Sequence, residues 1–155
     1  MSGEIEGSGV EMKEIRLYLY STIKGGRAGK GAYTYVLETD AENGPVTLSK
    51  TEAVEGMTAH KAELISFIAA LKRICKKSRL VIYTDSYYLA VNTRDCLTSW
   101  EKNDWKTAKG TTVKHKEEWQ EIYSLIQIHS FRFEITSGHS YYLWMKRESE
   151  AAECM

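Results

Sequence analysis

The hydrophobic period of this chain changes along its length, and that change restricts the fold more than any other feature. From Ile15 the residues Ile-Arg-Leu-Tyr-Leu-Tyr alternate with a period of two, which is typical of a β-strand. Beyond Thr58, a residue suited to capping a helix, apolar residues recur at helical spacing, on a stripe formed by Leu64, Ile68, Leu71 and Cys75. The two periods together predict a mixed α/β sheet with helices packed on it.

Turn signals and apolar runs predict the other elements. Strands beginning at Ile15, at Ala32 and over Val46–Thr51 are joined by short turns, which indicates an antiparallel meander. A helix from Thr58 to Lys76 then leads to a buried strand at Leu80–Thr84. Helices at 86–94, 96–103, 116–127 and 146–153 and a strand at 131–135 complete the order. A length of 155 residues suits one domain, which we place at 15–155 after a disordered tail at 1–14.

Composition argues against several classes of protein. Hydrophobic residues make up 43% and charged residues 27%, as in soluble globular proteins. No apolar run reaches the roughly 20 residues of a membrane span, and the first residues, MSGEIEGSG, are acidic rather than signal-like. Three cysteines without a CxxC pair favour free thiols in the reducing cytoplasm, and they argue against zinc or disulfide scaffolds.

The positive charge is concentrated in one segment of a chain whose formal net charge is zero. Residues 102–116 hold five lysines and one aspartate, next to Trp100 and with Trp105 among them. Indole rings can stack on bases while neighbouring lysines contact phosphates, so this segment is a candidate nucleic-acid contact. A solvated lysine-rich loop is the alternative.

Three polar residues are candidates for chemistry. Glu63 lies on the helical stripe with Phe67 and Ala70, where a carboxylate must be paired, protonated, bound to metal or turned out to water. Asp85 follows a buried strand, where ligands gather in α/β sheets, although an aspartate before a helix is also a common cap. His139 lies in a loop after the last strand, and a histidine can transfer protons near neutral pH.

Six segments, in order, resemble ribonuclease H of type 1 over nearly the whole length from Ile15 to Glu153. They read GRAGKGAYTYVL, TAHKAEL, YTDSYY, WEKNDWKT, VKHKEEW and SGHS. The resemblance implies a five-stranded mixed sheet in the order 3-2-1-4-5 with helices on both faces.

The resemblance also implies an activity, which is cleavage of the RNA strand of an RNA/DNA hybrid by two Mg²⁺ or Mn²⁺ ions held on four carboxylates. Glu63 and Asp85 correspond to two of these carboxylates, and His139 corresponds to the histidine of the catalytic loop. The other two positions fall on Ser21 and Ser149. Because a serine hydroxyl is a poor ligand for a hard dication, we expect metal to bind weakly to Glu63 and Asp85, or not at all.

Binding residues carried over from the family are better preserved. Thr58 corresponds to the hydroxyl of a phosphate pocket, in which His115 replaces an asparagine of some relatives. Ala59 and His60 replace amides that contact the minor groove. Tyr88 and Trp100 match aromatic positions of the DNA-strand channel, and a basic protrusion along the duplex is matched by Lys102, Trp105, Lys106 and Lys109.

Three functions remain open from the sequence. The first is a nucleic-acid-binding domain, monomeric and not associated with a membrane, that binds an RNA/DNA hybrid or related duplex and has lost or nearly lost cleavage. The second is a working nuclease with a rearranged site made of Glu63, Asp85 and either Glu148 or Glu150. The third is a protein-interaction module with the same fold.

Overall fold

A five-stranded mixed sheet forms the centre of the computed structural model, which describes residues 12–154. Its strands are β1 (Lys13–Ser21), β2 (Gly29–Ala41), β3 (Gly44–Met57), β4 (Ser78–Thr84) and β5 (Ser130–Ile135). They lie in the order β3-β2-β1-β4-β5. β2 is antiparallel to both β1 and β3, whereas β4 is parallel to both β1 and β5. The expected fold class and strand order are therefore confirmed.

Several strands are longer than the sequence pattern predicts. β2 begins at Gly29 instead of Ala32, and β4 begins at Ser78 instead of Leu80. β1 begins at Lys13, so residues 13 and 14 belong to the sheet rather than to a tail, and residues 1–11 lie outside the described residues. β3 runs from Gly44 to Met57 rather than over Val46–Thr51, because its backbone pairs with β2 along the whole of that length.

The helices among residues 12–154 are α1 (Ala59–Leu71), α2 (Tyr87–Val91), α3 (Leu97–Lys102), α4 (Lys116–Ile126) and α5 (Tyr142–Glu153). Thr58 caps α1 by accepting a hydrogen bond from the Lys61 amide at 3.3 Å. The helix ends at Leu71 instead of Lys76, which leaves Cys75 exposed beyond it. A π-helical turn, Asn92–Cys96, separates α2 from α3, and α5 begins four residues earlier than predicted.

Alternate residues of β1 face two hydrophobic layers. Leu17 and Leu19 pack beneath α1 and α4 with the fully buried Phe67 and Trp119, and Tyr18 and Tyr20 pack on the other face with Met145 of α5. Because β1 and β4 are parallel, their carboxyl ends open at one edge of the sheet, the usual place for a ligand in α/β folds.

The lysine-rich segment folds into a small hairpin, here called the basic protrusion (residues 102–114). Its strands meet at a bridge between Lys106 and Thr112, supported by a 2.8 Å bond from the Thr107 amide to the Thr111 carbonyl. The Trp105 amide donates to the Trp100 carbonyl at 2.8 Å, which ties the hairpin to the end of α3. Within residues 12–154, no helix combines the length and apolar character needed to cross a bilayer.

Candidate nucleic-acid interface and carboxylate cleft

The carboxyl ends of β1 and β4 border a cleft that contains both candidate carboxylates. Its cavity volume is about 510 Å³, and its lining comprises Lys24, Gly25, Gly26, Thr58, Ala59, His60, Glu63, Asp85, Ser86 and Lys114. Ser21 joins Glu63 and Asp85 in the lining of a smaller cavity beside it. The structure therefore brings together residues of β1, α1 and β4 that the sequence placed far apart.

Glu63 is held in the cleft by a hydrogen bond from Ser86, the residue that caps α2. The Ser86 hydroxyl donates to Glu63 Oε1 at 2.5 Å, and the Leu89 amide donates to that same hydroxyl at 3.0 Å. Burial raises the pKa of Glu63, and the nearby charge of Asp85 raises it further, whereas the Ser86 bond and Lys24 lower it. This carboxyl group is thus half-buried, oriented and harder to ionise than in water.

Asp85 is exposed at the end of β4 and has two partners. Tyr142 Oη donates to Asp85 Oδ2 at 3.1 Å, and Lys24 Nζ lies 3.9 Å from the same oxygen. The possibility that Asp85 caps the next helix is wrong, because Ser86 is the residue that caps α2. The Asp85 carboxylate is therefore available to the cleft.

The two serines at the remaining family positions have different surroundings. Ser21 is 6% exposed, accepts a 3.2 Å bond from the Ile23 amide and shares the smaller cavity with Glu63 and Asp85. Ser149 is fully buried on α5, 2.6 Å from the hydroxyl of Thr34 in β2, and it lines neither of these two cavities. Only the Ser21 position thus faces the two carboxylates.

His139 is packed among tyrosines. Its ring centroid lies 4.8 Å from that of Tyr18 and 5.7 Å from that of Tyr142, and its Nδ1 accepts from the Tyr141 amide at 3.1 Å. Nε2 is buried without a hydrogen-bond partner among the described residues. Burial lowers the pKa of His139, although the negative charge of Asp85 acts to raise it. The ring is therefore favoured in its neutral form at neutral pH.

Aromatic rings extend from the cleft through the core to Trp100, which lies beside the basic protrusion. His60 and Tyr88 are stacked with 3.6 Å between centroids and 2° between planes. Trp119 Nε1 donates to Tyr88 Oη at 3.4 Å, and the Trp100 ring meets Trp119 edge-on at 5.4 Å. Trp105 is half-buried and packs against the core, and its ring centroid lies 6.2 Å from that of Tyr123.

The lysines of the protrusion are exposed to solvent, whereas His115 is half-buried. The exposed set is Lys102, Lys106, Lys109 and Lys114. His115 has a left-handed backbone with φ of 60° and a buried Nε2 without a partner among the described residues. Burial and the neighbouring Lys114 and Lys61 lower its pKa, although Glu118 opposes them.

The residues of the cleft do not fit a pair of divalent ions. Two carboxylates and one hydroxyl are too few hard anionic ligands to hold two ions, and the Lys24 ammonium already approaches Asp85. Among residues 12–154, no three Asp, Glu, His or Cys side chains gather as a metal site would require. Weak or absent metal binding therefore stays a prediction, and the donor set is its chemical basis.

Sequence reasoning missed three residues that contact the carboxylates of the cleft: Lys24, Ser86 and Tyr142. Ser86 stands before a helix, as a capping serine does, and this position could have been recognised. Lys24 and Tyr142 carry no local signal, because each meets Asp85 from a distant part of the chain.

Comparisons with known proteins match this chain, by sequence and by fold, to one family. A protein-family model for RNase H matches residues 20–151. Ribonuclease H of Caldicellulosiruptor saccharolyticus is 35% identical over 88 residues, which are 56% of this chain and 60% of that protein. Ribonuclease H of Francisella tularensis subsp. novicida is 39% identical over 83 residues, 54% of this chain and 55% of that protein. The chain thus spans less than two thirds of the length of these relatives.

Solved structures share the fold at lower identity. LC9-RNase H1, a type 1 RNase H with the type 2 active-site motif, superposes with a TM-score of 0.76 at 19% identity, covering 95% of this chain and 75% of that one. A foamy viral protease-reverse transcriptase in complex with dsDNA gives 0.66 at 18% identity, covering 91% and 93%. LC11-RNase H1 in complex with RNA/DNA hybrid gives 0.58 at 14% identity, covering 91% and 99%.

Proposed function

This chain belongs to the RNase H family, and from that premise we propose that it binds a nucleic-acid duplex, in the first place an RNA/DNA hybrid, with nuclease activity lost or strongly reduced. The observation that carries the proposal is the composition of the cleft. Ser21 stands beside Glu63 and Asp85 where two-ion catalysis needs a third carboxylate, and Lys24 approaches Asp85 at 3.9 Å.

The chemistry of two-ion hydrolysis explains why this loss matters. Two divalent ions activate the water and stabilise the leaving oxygen, and a bridging carboxylate holds them at the required separation. A neutral serine hydroxyl cannot offset the repulsion between two dications. Glu63 and Asp85 remain able to hold at most one hydrated ion, with no second ion for the leaving oxygen.

Aromatic rings and exposed lysines are the features that support binding. The stacked His60 and Tyr88 are followed by Trp100 and the exposed lysines of the basic protrusion, a combination suited to bases and phosphates. Two solved relatives of the same fold are complexes with double-stranded DNA and with an RNA/DNA hybrid. Thr58, whose hydroxyl caps α1, also lines the cleft.

The experiment combines binding and cleavage on the same labelled duplexes. Gel mobility shifts with RNA/DNA hybrid, duplex RNA and duplex DNA are expected to show binding, with no cleavage of the hybrid in 10 mM Mg²⁺ or 1 mM Mn²⁺. The Asp85→Asn variant is the control for a contaminating nuclease, because it removes a carboxylate from the cleft without changing its shape. Cleavage by the unmodified protein that Asp85→Asn abolishes would overturn the proposed loss of activity. Absence of binding to all three duplexes would favour an interaction module.

A rearranged nuclease is the second candidate, and the environment of Tyr20 favours Glu150 over Glu148 as its third carboxylate. Burial raises the pKa of Tyr20, and the charges of Glu150, Asp85 and Glu153 raise it further, so Glu150 and Asp85 lie within electrostatic range of the same phenol, whereas Glu148 is not among these charges. If this candidate holds, hybrid cleavage in Mn²⁺ should be detectable in the unmodified protein and lost in Glu150→Gln but kept in Glu148→Gln.

A further inference from the structure

We propose that Lys24 takes the place of the missing metal charge, so that the cleft binds a backbone phosphate of the duplex directly and without a divalent ion. The proposal rests on the proposed binding function and adds to it the residue and the chemistry of contact. It assigns a role to a lysine that no part of the sequence pattern singled out.

The position of Lys24 is fixed by its loop. The Gly25 carbonyl accepts a 3.3 Å hydrogen bond from the Ala59 amide, so the loop after β1 is tied to the first turn of α1. Gly25 has a φ of 86°, a conformation that glycine adopts without strain and that turns the chain away directly after Lys24. The base of the loop is closed by a 3.0 Å bond from the Ala32 amide to Thr22 Oγ1.

The Lys24 ammonium lies beside the Asp85 carboxylate while remaining open to a ligand. Its Nζ is 3.9 Å from Asp85 Oδ2 and 5.1 Å from the centroid of the Tyr20 ring, and its side chain is 61% exposed. Two contacts therefore place the charge, and more than half of the side chain still faces solvent. A phosphate oxygen can reach the ammonium from the open side of the cleft.

The charges lining the cleft are balanced rather than negative. Lys24 and Lys114 offset Glu63 and Asp85 in the same cavity, so the site lacks the excess negative charge that attracts a divalent cation. A dication would lie beside the Lys24 ammonium and be repelled, whereas a phosphate that contacts Lys24 from its exposed side is attracted to the ammonium, while Asp85 lies on another side of it. His60, which also lines the cleft, has a pKa lowered by burial and by Lys114, so it adds little positive charge at neutral pH.

The test compares Lys24→Ala with Lys50→Ala, a matched control. Lys50 is also an exposed lysine paired with a carboxylate, at 3.1 Å from Glu52, but it lies on β3 away from the cleft. Affinity for a hybrid is measured with 1 mM EDTA and with 5 mM Mg²⁺ at constant ionic strength, and the melting temperature is measured with and without Mg²⁺. The unmodified protein should bind equally with EDTA and Mg²⁺, and Mg²⁺ should not raise its melting temperature.

Lys24→Ala is expected to weaken hybrid binding in EDTA by about five- to ten-fold at 0.1 M salt. It should also lower the slope of log K against log salt by about one, the change expected when one phosphate contact is lost. Mg²⁺ should raise the melting temperature of Lys24→Ala, because Glu63 and Asp85 then lack their cation, and Lys50→Ala should behave as the unmodified protein. Hybrid binding by the unmodified protein that requires Mg²⁺, or equal affinities of Lys24→Ala and Lys50→Ala, would overturn the role of Lys24.

The two readouts separate this inference from the proposed function. If no variant binds any duplex, the proposed function fails and the phosphate contact fails with it. The stability measurement still reports whether Lys24 is the counter-ion of the cleft. If binding is strong and Mg²⁺ stabilises the unmodified protein as much as Lys24→Ala, the binding function stands and the role of Lys24 is wrong.

Discussion

Replacing Ser21 by aspartate should create a metal-dependent stability that the unmodified protein lacks. Ser21 is 6% exposed and shares a cavity with Glu63 and Asp85, so the new carboxylate enters a cleft where burial already raises the pKa of Glu63. Within residues 12–154, the one hydrogen-bond partner of its side chain is the Ile23 amide, which donates to Ser21 at 3.2 Å and can equally bond an aspartate oxygen. Three crowded carboxylates with one lysine nearby repel one another and lose solvation. We expect Ser21→Asp to lower the free energy of unfolding by about 2–4 kcal/mol without metal.

Magnesium should recover much of that loss. If the three carboxylates bind Mg²⁺ with a Kd of about 0.1 mM, 10 mM Mg²⁺ stabilises the folded state by about 2.7 kcal/mol through mass action. For a domain of this size, that free energy corresponds to a rise in melting temperature of about 5–10 °C. Removing the Lys24 charge as well, in Ser21→Asp with Lys24→Ala, should enlarge the rise because the competing cation is gone.

The assay is thermal unfolding followed by circular dichroism, with 10 mM Mg²⁺ or with EDTA at matched ionic strength. Ser21→Asn is the control, because asparagine has the same shape and accepts the same backbone bond but carries no charge. If Ser21→Asp gains no more from Mg²⁺ than Ser21→Asn does, the cleft is not shaped for an ion and the reasoning fails. Hybrid cleavage by Ser21→Asp should be slow at most, since a fourth carboxylate is still missing.

Three further predictions concern other parts of the molecule. Ser149→Asp should lower the free energy of unfolding by about 3–5 kcal/mol, because it buries a carboxylate against Thr34, and Mg²⁺ should not restore the loss. Ser149→Ala should lower it by only about 1 kcal/mol, measured by urea unfolding. Equal effects of the two substitutions would contradict the buried position of Ser149. Replacing Lys106 and Lys109 together by alanine should lower the slope of log K against log salt for hybrid binding by about two, with little change in stability, and an unchanged slope would remove the basic protrusion from the interface. His129 Nδ1 accepts a hydrogen bond from the backbone amide of Ser78 at 3.0 Å, and burial lowers the pKa of His129. Because the folded-state pKa is below the unfolded-state pKa near 6.5, the stability that neutral His129 contributes is complete above pH 6.5 and is lost as pH falls toward the folded-state pKa. Urea unfolding at pH 7.5 and at pH 5 should therefore show a smaller acid loss for His129→Gln than for the unmodified protein, and an equal loss would show that another group is responsible.

The sequence was sufficient to predict the kind and order of the elements because those signals are local, whereas the strand order of the sheet came from the resemblance to the family. The alternation from Ile15 predicted a strand, and the helical stripe through Leu64 and Leu71 predicted the helix that packs on it. Boundaries were less accurate where long-range pairing decides them. β3 continues to Met57 because β2 offers backbone partners that far, and no residue pattern within β3 itself indicates this.

The cleft was predicted in part. Glu63 and Asp85 were found from a carboxylate on an apolar stripe and from an aspartate at a strand end, and the structure places both in one cleft. The capping role was assigned to the wrong residue, because Asp85 and Ser86 are both suited to it and only the turn geometry distinguishes them.

By itself, the sequence determined the order of the elements and the two candidate carboxylates, because each depends on residue type and on spacing to near neighbours. The importance of the serine at the end of β1 followed from the resemblance to the family. Only the tertiary structure decided the electrostatics of the cleft and the different surroundings of the two serines. Asp85 meets Lys24 and Tyr142 from opposite ends of the chain, and Ser149 meets Thr34 on another element. Such contacts depend on how distant segments pack, and the charge that each carboxylate experiences is set by those neighbours rather than by the residues beside it in the chain.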